Sequence, residues 1–86
     1  MAFEELVMDC VREVFDDAQF VNFGLVKPLG KVGGVVTSHR FEGMDQVDRQ
    51  TALWHALRER FGNDELRKIS LIMTFTPSEL TDLDED

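Results

Sequence analysis

Residues 41–61 read FEGMDQVDRQTALWHALRERF, and this stretch carries the signals on which the predicted fold depends. Gly43 supplies a flexible joint after a β-favouring run, and the Asp45 side chain can accept a backbone N–H from the first turn of a helix. Asp48 adds negative charge at the positive end of that helix, and Gly62 followed by Asn63 predicts where it ends.

Apolar residues recur at helical spacing at Val47, Leu53, Trp54, Ala56, Leu57 and Phe61. Charged residues take much of the remaining circumference: Asp48, Arg49, Arg58, Glu59 and Arg60. The pattern predicts one amphipathic helix that begins near Asp45 and buries a single face.

The sequence outside this stretch predicts one further helix and three strands. Residues 3–17 carry apolar side chains at helical spacing, whereas residues 19–26 and 35–41 are rich in β-branched and aromatic types. Gly24 marks a bulge in the first of these strands. Residues 27–34, KPLGKVGG, are predicted to form the hairpin connection. A phosphate-binding loop is the alternative for these glycines, but their spacing matches no nucleotide motif and no helix is predicted directly after them.

A third strand is predicted over residues 67–76, RKISLIMTFT, and its composition places it at the centre of the sheet. Alternation puts Val21, Phe23 and Leu25 on one face of the first strand, and Ile69, Leu71, Met73 and Phe75 on one face of the third. Pro77 ends the third strand, and residues 77–83 predict a short helical turn capped by Thr76 or Ser78. The element order α-β-β-α-β predicts an α+β two-layer sandwich with both helices on one face of a three-stranded sheet.

Composition predicts one domain over residues 1–80, followed by a disordered acidic tail over residues 81–86. The chain has 86 residues, 43% of them hydrophobic and 30% charged, and no apolar run approaches the length of a membrane span. Its N-terminus is acidic where a secretion signal would be basic, so we expect a cytoplasmic protein. The formal net charge of −8 disfavours binding to phosphate backbones unless the nine basic residues gather on one face.

Motifs for catalysis are not found in the sequence, and we expect the protein not to be an enzyme. The sequence contains no CxxC, no HExxH and no Ser/His/acid set. Cys10 lies at the edge of the first helix's apolar stripe, where a packing role is favoured over a reactive one. His39 shares a strand face with Phe41 and is either a half-buried strand residue or a ligand, whereas His55 points away from the apolar stripe and is expected to be solvated.

The ordered set of motifs resembles the BolA-like family across residues 33–80. The matching positions are VVTSHRFEGM, then Arg49-Gln50 followed by Trp54 and Leu57, then ISLIMTFTP with Glu79 beyond it. In that family a strand ending in Phe-x-Gly leads into a helix with an Arg-His or Arg-Gln pair and an aromatic residue, and a last strand ends in Thr-Pro. Each motif alone is weakly specific, but the ordered set is more so.

The resemblance implies a fold like that of class II KH domains and a small, non-enzymatic partner of monothiol glutaredoxins. Such pairs share a bridging [2Fe–2S] cluster, to which the BolA-like protein supplies an imidazole, and some members are described as transcription regulators. The family's histidine position corresponds to Lys68 here, and a protonated lysine does not ligate iron. His39 is then the candidate metal ligand, and no cofactor is expected on the chain alone.

Two further hypotheses remain open. The chain could bind nucleic acid through a basic edge formed by Lys27, Lys31, Arg40, Arg67 and Lys68. It lacks the GxxG clamp of KH domains, since the nearest approach, GKVGG, lies in the predicted hairpin. The chain could also be a diverged domain with neither role.

Overall fold

Within residues 2–27 and 30–84, which the computed structural model describes, helices cover one face of a three-stranded mixed sheet. The helices are α1 (Phe3–Val14), α2 (Gln46–Arg60), α3 (Asn63–Leu66) and α4 (Pro77–Asp84). The strands are β1 (Gln19–Val26), β2 (Lys31–Thr37) and β3 (Ile69–Phe75), and a 3-10 helix (His39–Phe41) leads from β2 toward α2. The predicted α+β class and element order are confirmed. α3 is an addition, because the predicted polar connection after α2 forms a short helical turn.

Helix α2 begins where its capping signals predict. Asp45 is the N-cap residue, and its carboxylate accepts the backbone N–H of Asp48 at 2.8 Å. Two positions on its circumference differ from the prediction: Val47 is 73% exposed, whereas Arg49 is only 5% exposed. Arg49 is buried because acceptors from β3 and α4 surround its guanidinium, a long-range arrangement that helical periodicity does not reveal.

The sheet has the order β1-β2-β3, so β2 is central and the prediction of a central β3 is wrong. β1 and β2 form an antiparallel hairpin, and β3 lies parallel to β2. The reason is the crossover through α2, which returns the chain beside β2 on the side that the hairpin leaves free. β3 is therefore an edge strand.

Strand β2 starts at Lys31 rather than Val35 and ends at Thr37, so part of the predicted loop lies inside the sheet. The predicted strand residues 39–41 form a 3-10 helix instead. The Ser38 hydroxyl accepts the Arg40 N–H at 3.0 Å, which turns the chain out of the strand. Asp17 holds this turn in place, because it accepts the Ser38 hydroxyl at 2.5 Å and the His39 N–H at 2.8 Å. These two bonds, the one from Ser38 first, hold the pKa of Asp17 below its ordinary value.

Strand β1 bulges against the central strand, close to where Gly24 predicts a bulge. Val21 pairs with Val35, but the next paired residues are Gly24 and Gly33, so two residues of β1 face Gly34 alone. One of those two, Asn22, has a positive φ of 50°. The bulge breaks the predicted alternation of Val21, Phe23 and Leu25, because Phe20 and Phe23 come to lie side by side with ring centroids 5.1 Å apart.

Strand β3 carries a second bulge, on the other side of the central strand. Val32 pairs with Ile69 and Gly34 with Ile72, so Ser70 and Leu71 together face Gly33. Ile69 and Ile72 are therefore both buried in the core, while Leu71 is 71% exposed and Met73 44% exposed. The prediction that Ile69, Leu71 and Met73 share one face is wrong for this reason.

The core lies between the helices and the sheet. Its buried members come from both layers: Val7, Cys10, Val11, Phe15, Ala18, Val36, Phe41, Leu53, Leu57, Phe61, Ile69 and Ile72. Two aromatic pairs lie at the ends of the helices. The rings of Phe3 and Phe61 meet edge to face with centroids 5.4 Å apart, and those of Phe15 and Phe41 are tilted with centroids 4.9 Å apart.

Helix α4 follows β3 directly, and Thr76 caps it as predicted. The Thr76 hydroxyl accepts the Glu79 N–H at 3.2 Å, and the Glu79 carboxylate accepts the Thr76 N–H at 2.8 Å. The helix continues to Asp84, so residues 81–84 of the predicted disordered tail are helical. Residues 85 and 86 lie outside the described part of the chain. None of the helices described has the length and apolar character needed to cross a membrane.

Candidate binding surface

The sheet face that the helices leave uncovered is apolar. We call it the open face and define it by Val21, Val26, Val35, Leu71 and Met73. The register carries one row of side chains across all three strands, because Val21 pairs with Val35 and Val35 with Met73. The neighbouring residues of β2 and β3 on the helical side, Val36 and Ile72, are fully buried. An exposed apolar patch of this kind is typical of a binding surface.

A hollow interrupts the open face. One of the residues that line it, Gly34 of the central strand, carries no side chain. The cavity has a volume of about 340 Å³ and is lined by Val26, Gly34, Val35, Ser70, Leu71 and Met73. Its wall is almost entirely apolar, with the Ser70 hydroxyl already donating to the Val32 carbonyl at 3.2 Å.

Side chains of α2 occupy the free edge of β3. Gln50 Nε2 donates to the Ile72 carbonyl at 2.9 Å, and Gln46 Nε2 donates to the Thr74 carbonyl at 2.9 Å. Trp54 Nε1 donates to Gln50 Oε1 at 3.2 Å and so orients that amide. Because the outward carbonyls already have donors, addition of another strand at this edge would have to displace both glutamines.

Charge is segregated between the two layers of the fold. None of the 17 acidic residues lies within residues 18–41 or 66–78, which include all three strands. Five of the nine basic residues lie in these two segments: Lys27, Lys31, Arg40, Arg67 and Lys68. The sequence signal for the open face is thus the absence of Asp and Glu from the segments that contain the strands. The spacing of apolar residues does not reveal this absence.

Four of the five predicted basic residues come together, and we call them the basic end: Lys27, Lys31, Arg67 and Lys68. Lys31 opens β2, and the Val32 N–H donates to the Lys68 carbonyl at 2.8 Å, which joins the hairpin to the residues before β3. Arg40 lies beyond the other end of β2, where its Nε donates to Asp16 at 3.1 Å. Arg40 therefore does not share an end of the sheet with the other four residues of the predicted basic edge.

Within the basic end, charge compensation is partial. Arg67 forms an exposed ion pair with Asp64 at 3.5 Å. Lys27, Lys31 and Lys68 are exposed and form no ion pair with any carboxylate whose position the structure describes. Three of the four side chains of this end therefore carry a positive charge that no described carboxylate compensates.

The two candidate metal positions, His39 and Lys68, lie at opposite ends of the sheet. Backbone bonds place Lys68 beside Val32, whereas the Ser38 N–H donates to the Phe75 carbonyl at 3.1 Å at the far end. Val32 and Ser38 are six positions apart along the chain, which corresponds to roughly 20 Å of strand. The His39 imidazole is exposed, with its Nδ1 3.6 Å from a Glu42 oxygen. Across the described residues, no three His, Cys, Asp or Glu side chains are grouped for metal binding.

Cys10 and His55 line a groove between α1 and α2. Cys10 is 3% exposed, its Sγ donates to the Ala56 carbonyl at 3.4 Å, and burial raises the pKa of the thiol. These contacts match a packing role for Cys10, which is more deeply buried than the sequence predicts. His55 is exposed as expected, with Nε2 3.6 Å from Glu59.

An ion pair between the buried Arg49 and the partly exposed Glu79 connects α2 to α4 and was not predicted from the sequence. Arg49 Nη1 and Nη2 donate to the two carboxylate oxygens of Glu79 at 2.6 and 3.2 Å, and Nε donates to the Met44 carbonyl at 2.9 Å. The Arg49 guanidinium also lies 5.8 Å from the centre of the Phe41 ring. The bonds from Arg49, followed by the one from the Thr76 N–H, lower the pKa of Glu79 to about 2.

A scan of the sequence against protein-family models finds no match, and neither does a search of the curated proteins.

Proposed function

We propose that this chain is a small, non-catalytic protein-interaction module of the BolA-like type, with a monothiol glutaredoxin-like protein as its partner. The observation that supports this proposal is that the polar positions of the resemblance converge. Arg49 and Glu79 form a bidentate pair, and the Thr76 N–H donates to the same carboxylate. Trp54 orients Gln50, which in turn donates to β3.

This convergence matters because the positions are far apart in the sequence. Arg49, Gln50 and Trp54 lie on one helix, whereas Thr76 and Glu79 follow the last strand. A chance match of short motifs would give no reason for their side chains to bond with one another. A set of motifs that belongs to one fold would bring these side chains together. The observed bonds therefore favour a relation to the family, and with it the family's kind of function.

The side chains of the basic end do not fit an iron–sulfur cluster. Cluster iron takes thiolates or imidazoles, and the four side chains of this end are lysines and one arginine. In the proposed complex the chain therefore supplies no ligand from the family's usual position. His39, the remaining candidate ligand, would form a site at the opposite end of the sheet.

We expect co-expression with a monothiol glutaredoxin and anaerobic purification to give a heterodimer without iron or visible absorption from the native chain. Lys68→His places an imidazole at the family position, and we expect this variant to yield a coloured, iron-bearing heterodimer. His39→Ala is the matched control, which should behave as the native chain does. Failure of the two proteins to copurify, for both the native chain and Lys68→His, would contradict the proposal.

A second candidate function is nucleic-acid binding, which the gathering of Lys27, Lys31, Arg67 and Lys68 at one end favours. In this case a single-stranded oligonucleotide should bind the native chain, with log affinity falling by about 0.7 per phosphate contact for each tenfold rise in salt. Lys68→Glu should weaken binding and Arg40→Glu should not, because Arg40 lies at the other end of the sheet. Absent or salt-independent binding would rule this function out.

A further inference from the structure

The hollow in the open face is a consequence of the fold rather than a local irregularity. Both neighbouring strands bulge against the central strand, and the bulges lie opposite Gly33 and Gly34, which carry no side chains. The result is an apolar hollow walled by Val26, Val35, Leu71 and Met73, wide enough for one bulky side chain.

Contact with a partner has to come through the face rather than the strand edges. Gln46 and Gln50 occupy the outward carbonyls of β3, and the bulge at Asn22 interrupts the edge of β1. An extended segment that added to the sheet as a fourth strand would meet one of these obstacles. A side chain inserted from above the open face meets neither.

Charge identifies the chemistry of the occupant. The strands contain no carboxylate, and Lys31 belongs to the set of alternate β2 residues that includes Gly33 and Val35, so its side chain is placed on the open face. Lys27 and Lys68 stand beside it at the basic end. On a chain with a formal net charge of −8, this end is where an acidic partner is attracted rather than repelled.

We infer that the open face binds an acidic protein segment that inserts one bulky apolar side chain into the hollow and places carboxylates beside Lys27, Lys31 and Lys68. The inference deepens the proposed function, on which it rests, by assigning the surface and the partner's chemistry. The apolar side chain supplies a central buried contact, and the carboxylates supply orientation and rate of encounter.

The probe is a phage-displayed library of random dodecapeptides, selected on the native chain and then synthesised for titration calorimetry. We expect the selected peptides to be enriched in Leu, Ile, Met or Phe beside Asp or Glu. Replacing the apolar residue of a selected peptide by alanine should weaken binding at least about tenfold, the scale of losing one hot-spot side chain. Raised salt should weaken it further.

Two variants locate the site, and each has a reason to fold. Leu71→Gln replaces one apolar wall of the hollow with a polar side chain of similar length, at a position that is already 71% exposed. Lys31→Glu reverses the charge at the rim. Both should weaken peptide binding about tenfold or more. Arg40→Glu, the same charge reversal at the far end of the sheet, is the control and should leave binding unchanged. Circular dichroism and urea unfolding would verify that all three variants are folded.

Several outcomes would overturn the inference. These are a selection without acidic and apolar enrichment, peptide binding that Leu71→Gln leaves unchanged, or a dimer of the native chain that Leu71→Gln abolishes, which would make a second copy the occupant. The result is separable from that of the proposed function. If the peptides bind and glutaredoxin does not, the assignment of this surface stands and the proposed partner is wrong. Glutaredoxin that binds the native chain and Leu71→Gln equally would mean that the partner is right and the assigned surface is wrong.

Discussion

Replacing Gly34 with alanine should lower the free energy of unfolding by about 3 kcal/mol, because the change combines a backbone clash with an unfavourable conformation. Gly34 has a φ of +147°, which side-chain-bearing residues rarely adopt. A Cβ there would lie 2.6 Å from Phe23 Cα and 2.7 Å from the Asn22 carbonyl oxygen. Both are backbone atoms of the β1 bulge, so neither can rotate away. Urea unfolding, followed by circular dichroism, measures this loss of free energy. In thermal unfolding the same substitution should lower the melting temperature by roughly 15 °C.

Gly24→Ala is the matched control in the same sheet. A Cβ at Gly24 meets no atom within 4 Å, and its φ lies outside the positive range, so the change should be within about 1 kcal/mol of neutral, with stabilisation possible through the unfolded chain. If Gly34→Ala proved as stable as Gly24→Ala, the close approach of the bulge to the central strand would be refuted. Gly33→Ala tests the second bulge, since its Cβ would lie 2.6 Å from the Leu71 carbonyl oxygen.

The starts of α2 and α4 were predictable because their signals are local. The N-cap at Asp45 and the capping box of Thr76 with Glu79 each involve residues within three positions of one another. Apolar spacing identifies the buried side of α1 in the same way, through Val7 and Val11. Such features can be read before the tertiary structure is known, and they were sufficient for the α+β class.

The faces of the strands were not predictable from alternation. A bulge of one residue exchanges the two faces beyond it, and this sheet has one bulge on each side of β2. Leu71 is as apolar as Ile72, and nothing in the local pattern says that the first is exposed and the second buried. The adjacent glycines, Gly33 and Gly34, were the available signal, but a glycine pair is as typical of a hairpin loop as of a doubly bulged strand.

The candidate surface was partly predictable for a similar reason. Lys27, Lys31, Arg67 and Lys68 could be selected from the sequence by charge, but their gathering depends on the parallel pairing of β2 with β3. Arg40 has the same charge and lies close to β2 in the sequence, yet it lies beyond the opposite end of that strand. Direction along the sheet, rather than residue type, decides which charges act together.

Replacing Arg49 with alanine should lower the free energy of unfolding by about 2 kcal/mol at neutral pH, the scale of losing hydrogen bonds made by a charged group. The loss stays below that for a fully buried ion pair because the residue left behind, Glu79, keeps 43% of its side chain exposed and can be solvated. The variant also loses donors to the Met44 and Thr74 carbonyls. Arg58→Ala, on an exposed position of the same helix, is the control and should cost no more than about 0.5 kcal/mol.

Acid should reduce the difference between the native chain and Arg49→Ala. In the native fold the bonds from Arg49 and, second, from the Thr76 N–H lower the pKa of Glu79 from its ordinary 4.5 to about 2, so the ionised carboxylate stabilises the fold fully above pH 4.5. That contribution is lost progressively as the pH falls from about 4.5 toward 2, because protonation removes the partner of the guanidinium. In Arg49→Ala the pKa of Glu79 should rise toward 4.5, and only the smaller part of this pH dependence that comes from the Thr76 N–H should remain. Asp17 titrates in both proteins and cancels in the comparison, so unfolding measured at matched pH values isolates the pair. A difference in stability that stayed constant from pH 7 to pH 2 would mean that Arg49 acts through packing and carbonyl contacts alone, without help from the carboxylate of α4.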